Sequence, residues 1–230
     1  MKKQDQLEMT WKTHGGKRPG AGRKRQSARP NVAHRPRPEI SKHEPLNLTM
    51  RLHRLIKTLR NERAIALVYR CLAAGADRFQ GRVIHFSVQR DHIHLVAEAE
   101  NKESLTRFMK GLSGRIAKRL NKFLNRRGQV ISDRYHATAL TCPTQVKSAI
   151  AYVLNNYRHH AAQRNRRVPT GWVDPCSNGY AFDGWTTTPE VSNRPPFPLP
   201  PLPQPRTFLL TVLWWRKAGK IAIDTIPGPR

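Results

Sequence analysis

The sequence is poor in cysteine, in acidic residues and in long apolar segments, and each shortage excludes a class of protein. Its three cysteines, Cys71, Cys142 and Cys176, lie far apart and form neither a CxxC metal pattern nor a disulfide framework. No segment reaches the roughly 18 consecutive apolar residues that a membrane-spanning helix needs. The basic N-terminus is not followed by the apolar segment of a secretory signal. We therefore expect a protein of a reducing, cytoplasmic compartment with no membrane partner.

The scarcity of acidic residues leaves a large excess of positive charge. The 230 residues include 42 Lys and Arg but only 15 Asp and Glu, which gives a formal net charge of +27. Residues 1–45 hold 12 basic and 4 acidic residues, residues 46–165 hold 22 and 7, and residues 166–230 hold 8 and 4. A chain this basic is expected to bind a polyanion, and nucleic acid is the polyanion that the charge favours.

The composition divides the chain into three parts. Residues 1–45 are rich in Gly, Pro and Arg with almost no aliphatic residues, so we expect a disordered basic arm that binds DNA. It acts either as a general basic tail or like an AT-hook peptide with arginines in the minor groove. Residues 166–230 hold twelve of the 18 prolines, ten of them between Pro189 and Pro229, and are expected to form a tail that packs in part on the domain. The arm's candidate DNA-binding residues are Arg18, Arg23, Lys24 and Arg25.

Residues 46–165 have the hydrophobic periodicity of a folded α+β domain. Alternating residues predict strands, with Ile84, Phe86 and Val88 on one face of the second, and 3.6-residue periodicity predicts helices. The order of elements is that of a ferredoxin-like sandwich, in which a four-stranded antiparallel sheet is backed by helices, with one C-terminal helix appended. The predicted strands are 46–52, 83–88, 92–97 and 130–140, and the predicted helices are 54–79, 102–126 and 145–162, with Asn101 capping the second helix.

Two histidines on the third predicted strand are candidates for metal binding. His92 and His94 are two residues apart, so both imidazoles project from one face of the strand while Ile93 points toward the helices. Two imidazoles at this spacing can share a divalent ion. Polar residues on an open strand face have the same pattern, so the spacing alone does not decide between the two interpretations.

The last predicted helix adds a tyrosine and an asparagine on one face. Tyr152 and Asn156 are separated by four residues, so the phenol is a candidate nucleophile and the amide oxygen a candidate third metal ligand. A buried tyrosine and a capping asparagine would give the same spacing. Tyr157 is the second candidate nucleophile. His159 and His160 are interpreted as a solvated helix end, and Tyr135 with His136 as residues that cover the sheet.

These motifs together resemble a known family. The chain is similar over residues 46–162 to the single-tyrosine HUH transposases of insertion sequences, and within them to the REP-associated branch of bacterial chromosomes. The resemblance rests on the HUH segment His92-Ile93-His94, on Phe86-Ser87-Val88-Gln89 before it, on Asp133-Arg134-Tyr135-His136, on the segment from Ala151 to Asn156, and on the basic segment from Gly16 to Lys24.

The resemblance implies a reaction and the residues that perform it. Tyr152 would be the nucleophile that forms a 5′-phosphotyrosine, and His92, His94 and Asn156 would bind Mg²⁺ or Mn²⁺. The implied substrate is single-stranded DNA folded into hairpins, cut and rejoined in the bacterial cytoplasm at the nucleoid. Both a monomer and a homodimer with shared sites agree with the resemblance.

The second domain helix is strongly basic, and this favours a surface that follows DNA phosphates over an ordinary solvated face. An alternative function is a non-catalytic nucleic-acid-binding protein of the same fold, and a further one is a structural basic protein. The candidate DNA-binding residues of this helix are Arg107, Lys110, Arg115, Lys118, Arg119 and Lys122.

Overall fold

The computed structural model describes residues 39–56, 59–189 and 201–228. Most of the predicted basic arm lies outside these residues, including Arg18, Arg23, Lys24 and Arg25. Residues 190–200 of the Pro-rich tail lie outside them as well. Within the described ranges, no helix has the length and apolar character that a membrane span requires.

The domain is built on one antiparallel sheet. Its strands are β1 (Leu46–Arg51), β2 (Gly81–Val88), β3 (His92–Ala99) and β4 (His136–Ala139), in the spatial order β2-β3-β1-β4. Every neighbouring pair is antiparallel. The helices are α1 (Glu62–Ala73), α2 (Lys102–Phe123), α3 (Pro143–Leu154), α4 (Asn156–Ala162) and α5 (Trp214–Ala218). This is the strand order of a ferredoxin-like sandwich, so the predicted fold is confirmed.

The predicted first helix is wrong in its bounds. It begins at Glu62 rather than Arg54 because the side chain of Asn61 accepts a hydrogen bond from the Ala64 amide at 2.9 Å and caps the helix there. Leu55, which the predicted helix of residues 54–79 includes, is 66% exposed in the loop before the cap. The cap of the second helix is confirmed, since Asn101 accepts a hydrogen bond from the Ser104 amide at 2.8 Å.

A β-bulge changes which residues of β2 share a face. The pairing of β2 with β3 shifts register between Val83 and His85. Phe86 and Val88 lie in the core beneath α1 and α2, whereas Ile84 packs on the other face of the sheet. The prediction that Ile84, Phe86 and Val88 lie on one face is therefore wrong, because an inserted residue breaks strict alternation.

The last strand of the domain is shorter than predicted, and its last helix is interrupted. The fourth strand covers only His136–Ala139, although Ile131 forms an isolated bridge with Leu52. The predicted helix of residues 145–162 is two helices, because Asn155 adopts φ −100° and ψ 17° between α3 and α4.

Each face of the sheet has its own core. Alternate residues of β1 and β3 pack on α1 and α2, and Ile93 is fully buried there. On the opposite face, Ile84 and Val96 pack on α3 together with residues that follow the domain, among them Trp185 and Trp214. The C-terminal segment is fastened to this face through Glu98, whose carboxylate accepts hydrogen bonds from the Arg206 and Thr207 amides. The candidate site lies on this second face.

Candidate active site

His92 and His94 stand side by side on the second face of the sheet. Their ring centroids are 4.4 Å apart, and the side chain of Ile93 between them is buried on the first face. His94 is 5% exposed, and His92 lies at the start of β3 with its side chain 18% exposed. The alternation of a strand is sufficient to bring the two imidazoles together.

Each of these imidazoles is oriented by a hydrogen bond at Nδ1. The Nδ1 of His92 lies 2.7 Å from the carboxylate Oδ1 of Asp91, and the Nδ1 of His94 lies 3.0 Å from the hydroxyl of Thr49. A histidine whose Nδ1 is held in this way presents Nε2 as its ligand atom. Burial alone would raise the pKa of Asp91, but the hydrogen bond and the charge of His92 hold that pKa below its ordinary value.

Tyr152 of α3 reaches the histidine pair directly. Its ring is edge-on to His94, with centroids 5.1 Å apart and planes at 82°. The ring of His159 also lies near the phenol ring, with centroids 5.8 Å apart. The half-buried Tyr152 therefore contacts a strand histidine and a helix histidine.

Asn156 lies in the chain midway between Tyr152 and His160, the two helical residues whose rings are near the histidine pair. Four residues before it, Tyr152 contacts His94, and four residues after it, the ring of His160 lies 6.0 Å from that of His92. Asn156 is fully buried, and among the described residues neither Oδ1 nor Nδ2 of its amide has a hydrogen-bond partner. An unsatisfied buried amide costs about 1–3 kcal/mol, so its retention here points to a bound ligand.

The donor set fits a hard or borderline divalent cation. In the part of the chain that the structure describes, no three His, Cys, Asp or Glu side chains are grouped to hold a metal ion. The amide oxygen of Asn156, which has no hydrogen-bond partner among the described residues, is a donor type that such a cation accepts beside imidazole nitrogens.

His159 and His160 are not the solvated helix end that the sequence predicts. The Nδ1 of His159 lies 2.7 Å from the carbonyl oxygen of Pro227, and its side chain is buried. Burial lowers the pKa of His160; its hydrogen bond to Gln163 opposes this shift, and neighbouring positive charges add to it. Both rings lie beside the site, because that of His160 is 6.0 Å from His92 and that of His159 is 5.8 Å from Tyr152.

Two clefts open at the site, one lined by His92 and the other by Tyr152. The first, here called the His92 cleft, has a volume of ≈ 750 Å³ and the second, the Tyr152 cleft, a volume of ≈ 550 Å³. The His92 cleft is lined among others by Arg60, Arg90, His92, Tyr157, Arg164 and Arg166. The Tyr152 cleft is lined among others by Asn47, Thr138, Lys147, Ser148, Tyr152 and Thr225.

The second candidate nucleophile, Tyr157, occupies a different environment. The guanidinium of Arg60 lies over its ring at 4.7 Å, and the ring of Trp172 is 5.0 Å away. Arg60 is itself fixed by two hydrogen bonds to Asp174, at 2.8 and 2.9 Å. These contacts hold Tyr157 in the wall of the His92 cleft rather than against His94.

The basic residues of α2 are not brought to the histidine pair. α2 packs on the first face of the sheet, and Arg115 donates a hydrogen bond to the carbonyl oxygen of Cys71 in α1 at 3.0 Å. Tyr135 is partly buried against the first core, and His136 is exposed. The remaining candidates of the helix, Arg107, Lys110, Lys118, Arg119 and Lys122, are exposed on its surface.

Sequence reasoning missed the residues that support the site. Asp91 directly precedes His92, so its position was a usable signal. Thr49 is found only from the register of the sheet, which places it opposite His94. The arginines of the His92 cleft come from a loop, a turn and the chain after α4, and no local pattern joins them.

A comparison with protein families finds a match over the domain. Residues 48–156 match the model of the family described as "Transposase IS200 like". This segment begins in β1, ends at Asn156 and contains His92, His94 and Tyr152. The resemblance to transposases of insertion sequences is thereby confirmed. No curated protein matches the chain.

Two solved structures are also similar to the chain. One is a REP-associated tyrosine transposase bound to a REP hairpin, with 12% identity over 56% of this chain and 74% of that one and a TM-score of 0.45. The other is a putative transposase from Deinococcus radiodurans R1, with 14% identity over 54% of this chain and 92% of that one and a TM-score of 0.35.

Proposed function

We propose, from the match of residues 48–156 to the IS200-like transposases, that the chain is a transposase of this kind and that it cuts and rejoins single-stranded DNA through a covalent bond between Tyr152 and a 5′-phosphate. The observation that carries the proposal is the contact of the Tyr152 ring with His94, which stands beside His92 on one strand face. A nucleophile and a pair of metal-binding groups are therefore within reach of one phosphodiester.

A divalent cation, Mg²⁺ or Mn²⁺, would be held by Nε2 of His92, Nε2 of His94 and Oδ1 of Asn156. When bound, it supplies polarisation of the scissile phosphate and neutralisation of charge in the transition state. Asp91 and Thr49 keep the two imidazoles in the orientation that ligation needs, through the hydrogen bonds at their Nδ1 atoms. All three ligands are neutral, so phosphate oxygens are needed to complete the coordination.

The covalent step conserves the energy of the phosphodiester. The Oη of Tyr152 forms a bond to phosphorus as its proton is released, the bond from phosphorus to the 3′-oxygen breaks, and that oxygen takes up a proton. No water is consumed, so a 3′-hydroxyl can reverse the step and rejoin the strand. Contacts with His94 and His159 position the phenol ring for this attack.

The charge around the site suits a DNA strand. The His92 cleft has four arginines in its wall, and its carboxylate, Asp91, is paired with His92. Single-stranded or hairpin DNA is the substrate class that fits, with the basic surface of α2 available to phosphates on the far face of the sheet. Because Tyr152, His92 and His94 come from one chain, a single protomer contains the whole site.

The direct test is formation of a covalent protein–DNA adduct. Purified protein is mixed with Mn²⁺ and hairpin-bearing oligonucleotides copied from inverted repeats beside its gene, and the products are separated under denaturing conditions. We expect a labelled adduct on strands that carry the label 3′ of the cut. If the wild-type chain binds these hairpins but forms no adduct with any of them, it is a non-catalytic nucleic-acid-binding protein instead.

A further inference from the structure

The two clefts beside the histidine pair are separate, and they divide the reacting groups between them. Tyr152 lines one cleft and His92 the other, and no lining residue is common to both. The rings follow one another from Tyr152 to His94 to His92, with centroid separations of 5.1 and 4.4 Å. A strand cut at the histidine pair therefore has one cleft on the side of the nucleophile and one on the side away from it.

The geometry of phosphoryl transfer determines which of the two clefts faces the leaving oxygen. The attacking and leaving oxygens of an in-line displacement lie on opposite sides of phosphorus. If Tyr152 attacks from its own cleft, the 3′-oxygen departs toward the His92 cleft. The nucleotides that precede the cut are attached to this oxygen, so their backbone leads into the same cleft.

The wall of the His92 cleft has the chemistry to hold a phosphodiester backbone. Arg90, Arg164 and Arg166 are exposed there, and the described residues give none of them a carboxylate partner within ion-pair distance. Arg60 differs from them because its charge is compensated by Asp174. Arginine forms paired hydrogen bonds with phosphate oxygens, so three uncompensated guanidinium groups along one cleft suit successive phosphates.

We propose that the His92 cleft binds the strand that leaves with the 3′-hydroxyl, through contacts of Arg90, Arg164 and Arg166 with its phosphates. The cleft keeps this strand beside the phosphotyrosine until the 3′-hydroxyl attacks again. The inference rests on the proposed function and adds to it a reason why the chain rejoins strands rather than releasing them. Rejoining therefore depends on these three arginines in addition to the residues that cleave the strand.

The test uses a hairpin oligonucleotide that the wild-type chain cleaves, with one dye at its 5′ end and another at its 3′ end. The 5′ dye reports the strand that carries the 3′-hydroxyl, and the 3′ dye reports the strand bound to Tyr152. The variant is R164E/R166E, and the matched control is R63E/R70E, which makes the same charge change at exposed arginines of α1 on the far face of the sheet. R164Q/R166Q repeats the test without charge reversal, and thermal melts establish that each variant folds.

Measured on the DNA that has formed the adduct, the 5′-labelled strand should dissociate about tenfold faster from R164E/R166E than from the wild type, and the rejoined fraction should fall in proportion. R63E/R70E should retain and rejoin the strand as the wild type does. Unchanged retention in R164E/R166E and R164Q/R166Q would overturn the inference, and so would an equal loss in the control. If the wild-type chain forms no adduct, the proposed function fails, and this inference fails with it.

Discussion

The ring of Tyr152 stands edge-on to the ring of His94, with centroids 5.1 Å apart and planes at 82°. This contact joins α3 to β3, two elements that are far apart in the chain. It also fixes the phenol beside a histidine whose Nδ1 is already engaged by Thr49. The arrangement of nucleophile and metal-binding groups thus depends on the docking of one helix on one strand.

Removing the hydroxyl of Thr49 should weaken metal binding without removing a ligand. In Thr49→Val the Nδ1 of His94 loses its partner, so the imidazole is less well oriented, and loss of such partners costs about 10–100-fold in metal affinity. We expect the Mn²⁺ concentration for half-maximal adduct formation to rise by about tenfold. Thr49→Ser keeps a hydroxyl and should restore the wild-type dependence; equal defects in both variants would show that Thr49 matters only for packing.

Metal affinity should depend on DNA. The three proposed ligands, His92, His94 and Asn156, carry no negative charge, and Mg²⁺ prefers carboxylate and phosphate oxygens. We expect titration calorimetry to show weak Mg²⁺ binding by the Tyr152→Phe variant alone and clearly tighter binding once a hairpin oligonucleotide is present. Tight Mg²⁺ binding in the absence of DNA would contradict the proposed donor set.

The folded chain should lose stability as the pH falls below about 6.5. Burial lowers the pKa of His85 from 6.5 to about 4, because its ring lies under Phe182 in the second core. Between these two values the unfolded chain takes up a proton that the folded chain does not, so protonation favours unfolding. For His85 this linkage amounts to about 2 kcal/mol between pH 7 and pH 5.

Urea unfolding at the two pH values measures this effect. His85→Phe keeps an aromatic ring against Phe182 but cannot take up the proton, so its stability should change less between pH 7 and pH 5 than that of the wild type. The same pH dependence in both proteins would show that another group is responsible.

Local rules account for what the sequence predicts well. The alternation of a strand places His92 and His94 on one face. The cap of α2 is predicted because Asn101 directly precedes a segment with helical periodicity. These features involve neighbours in the chain. The start of α1 was misplaced because Leu55 and Leu59 continue the helical periodicity by chance, although Leu55 is exposed and Leu59 is buried in a loop.

Features that depend on register and long-range docking lie beyond such rules. The bulge in β2 moves Ile84 to the second core, and only the pairing with β3 reveals it. Thr49 meets His94 through the register of β1 with β3. Long-range docking also decides where the charges lie. The basic helix α2 packs on the face opposite the histidine pair. The arginines that line the His92 cleft are instead scattered in the sequence.

Two tyrosine variants compared side by side show which residue is the nucleophile. Tyr152→Phe keeps the ring contacts with His94 and His159, and Tyr157→Phe keeps those with Arg60 and Trp172, so both variants should fold. Each is incubated with Mn²⁺ and a hairpin oligonucleotide that the wild type cleaves, and the covalent adduct is quantified and located by peptide mass spectrometry. If Tyr152 is the nucleophile, the adduct forms at Tyr152 in the wild type and in Tyr157→Phe, and none forms in Tyr152→Phe. A covalent adduct formed by Tyr152→Phe would show that another residue is the nucleophile.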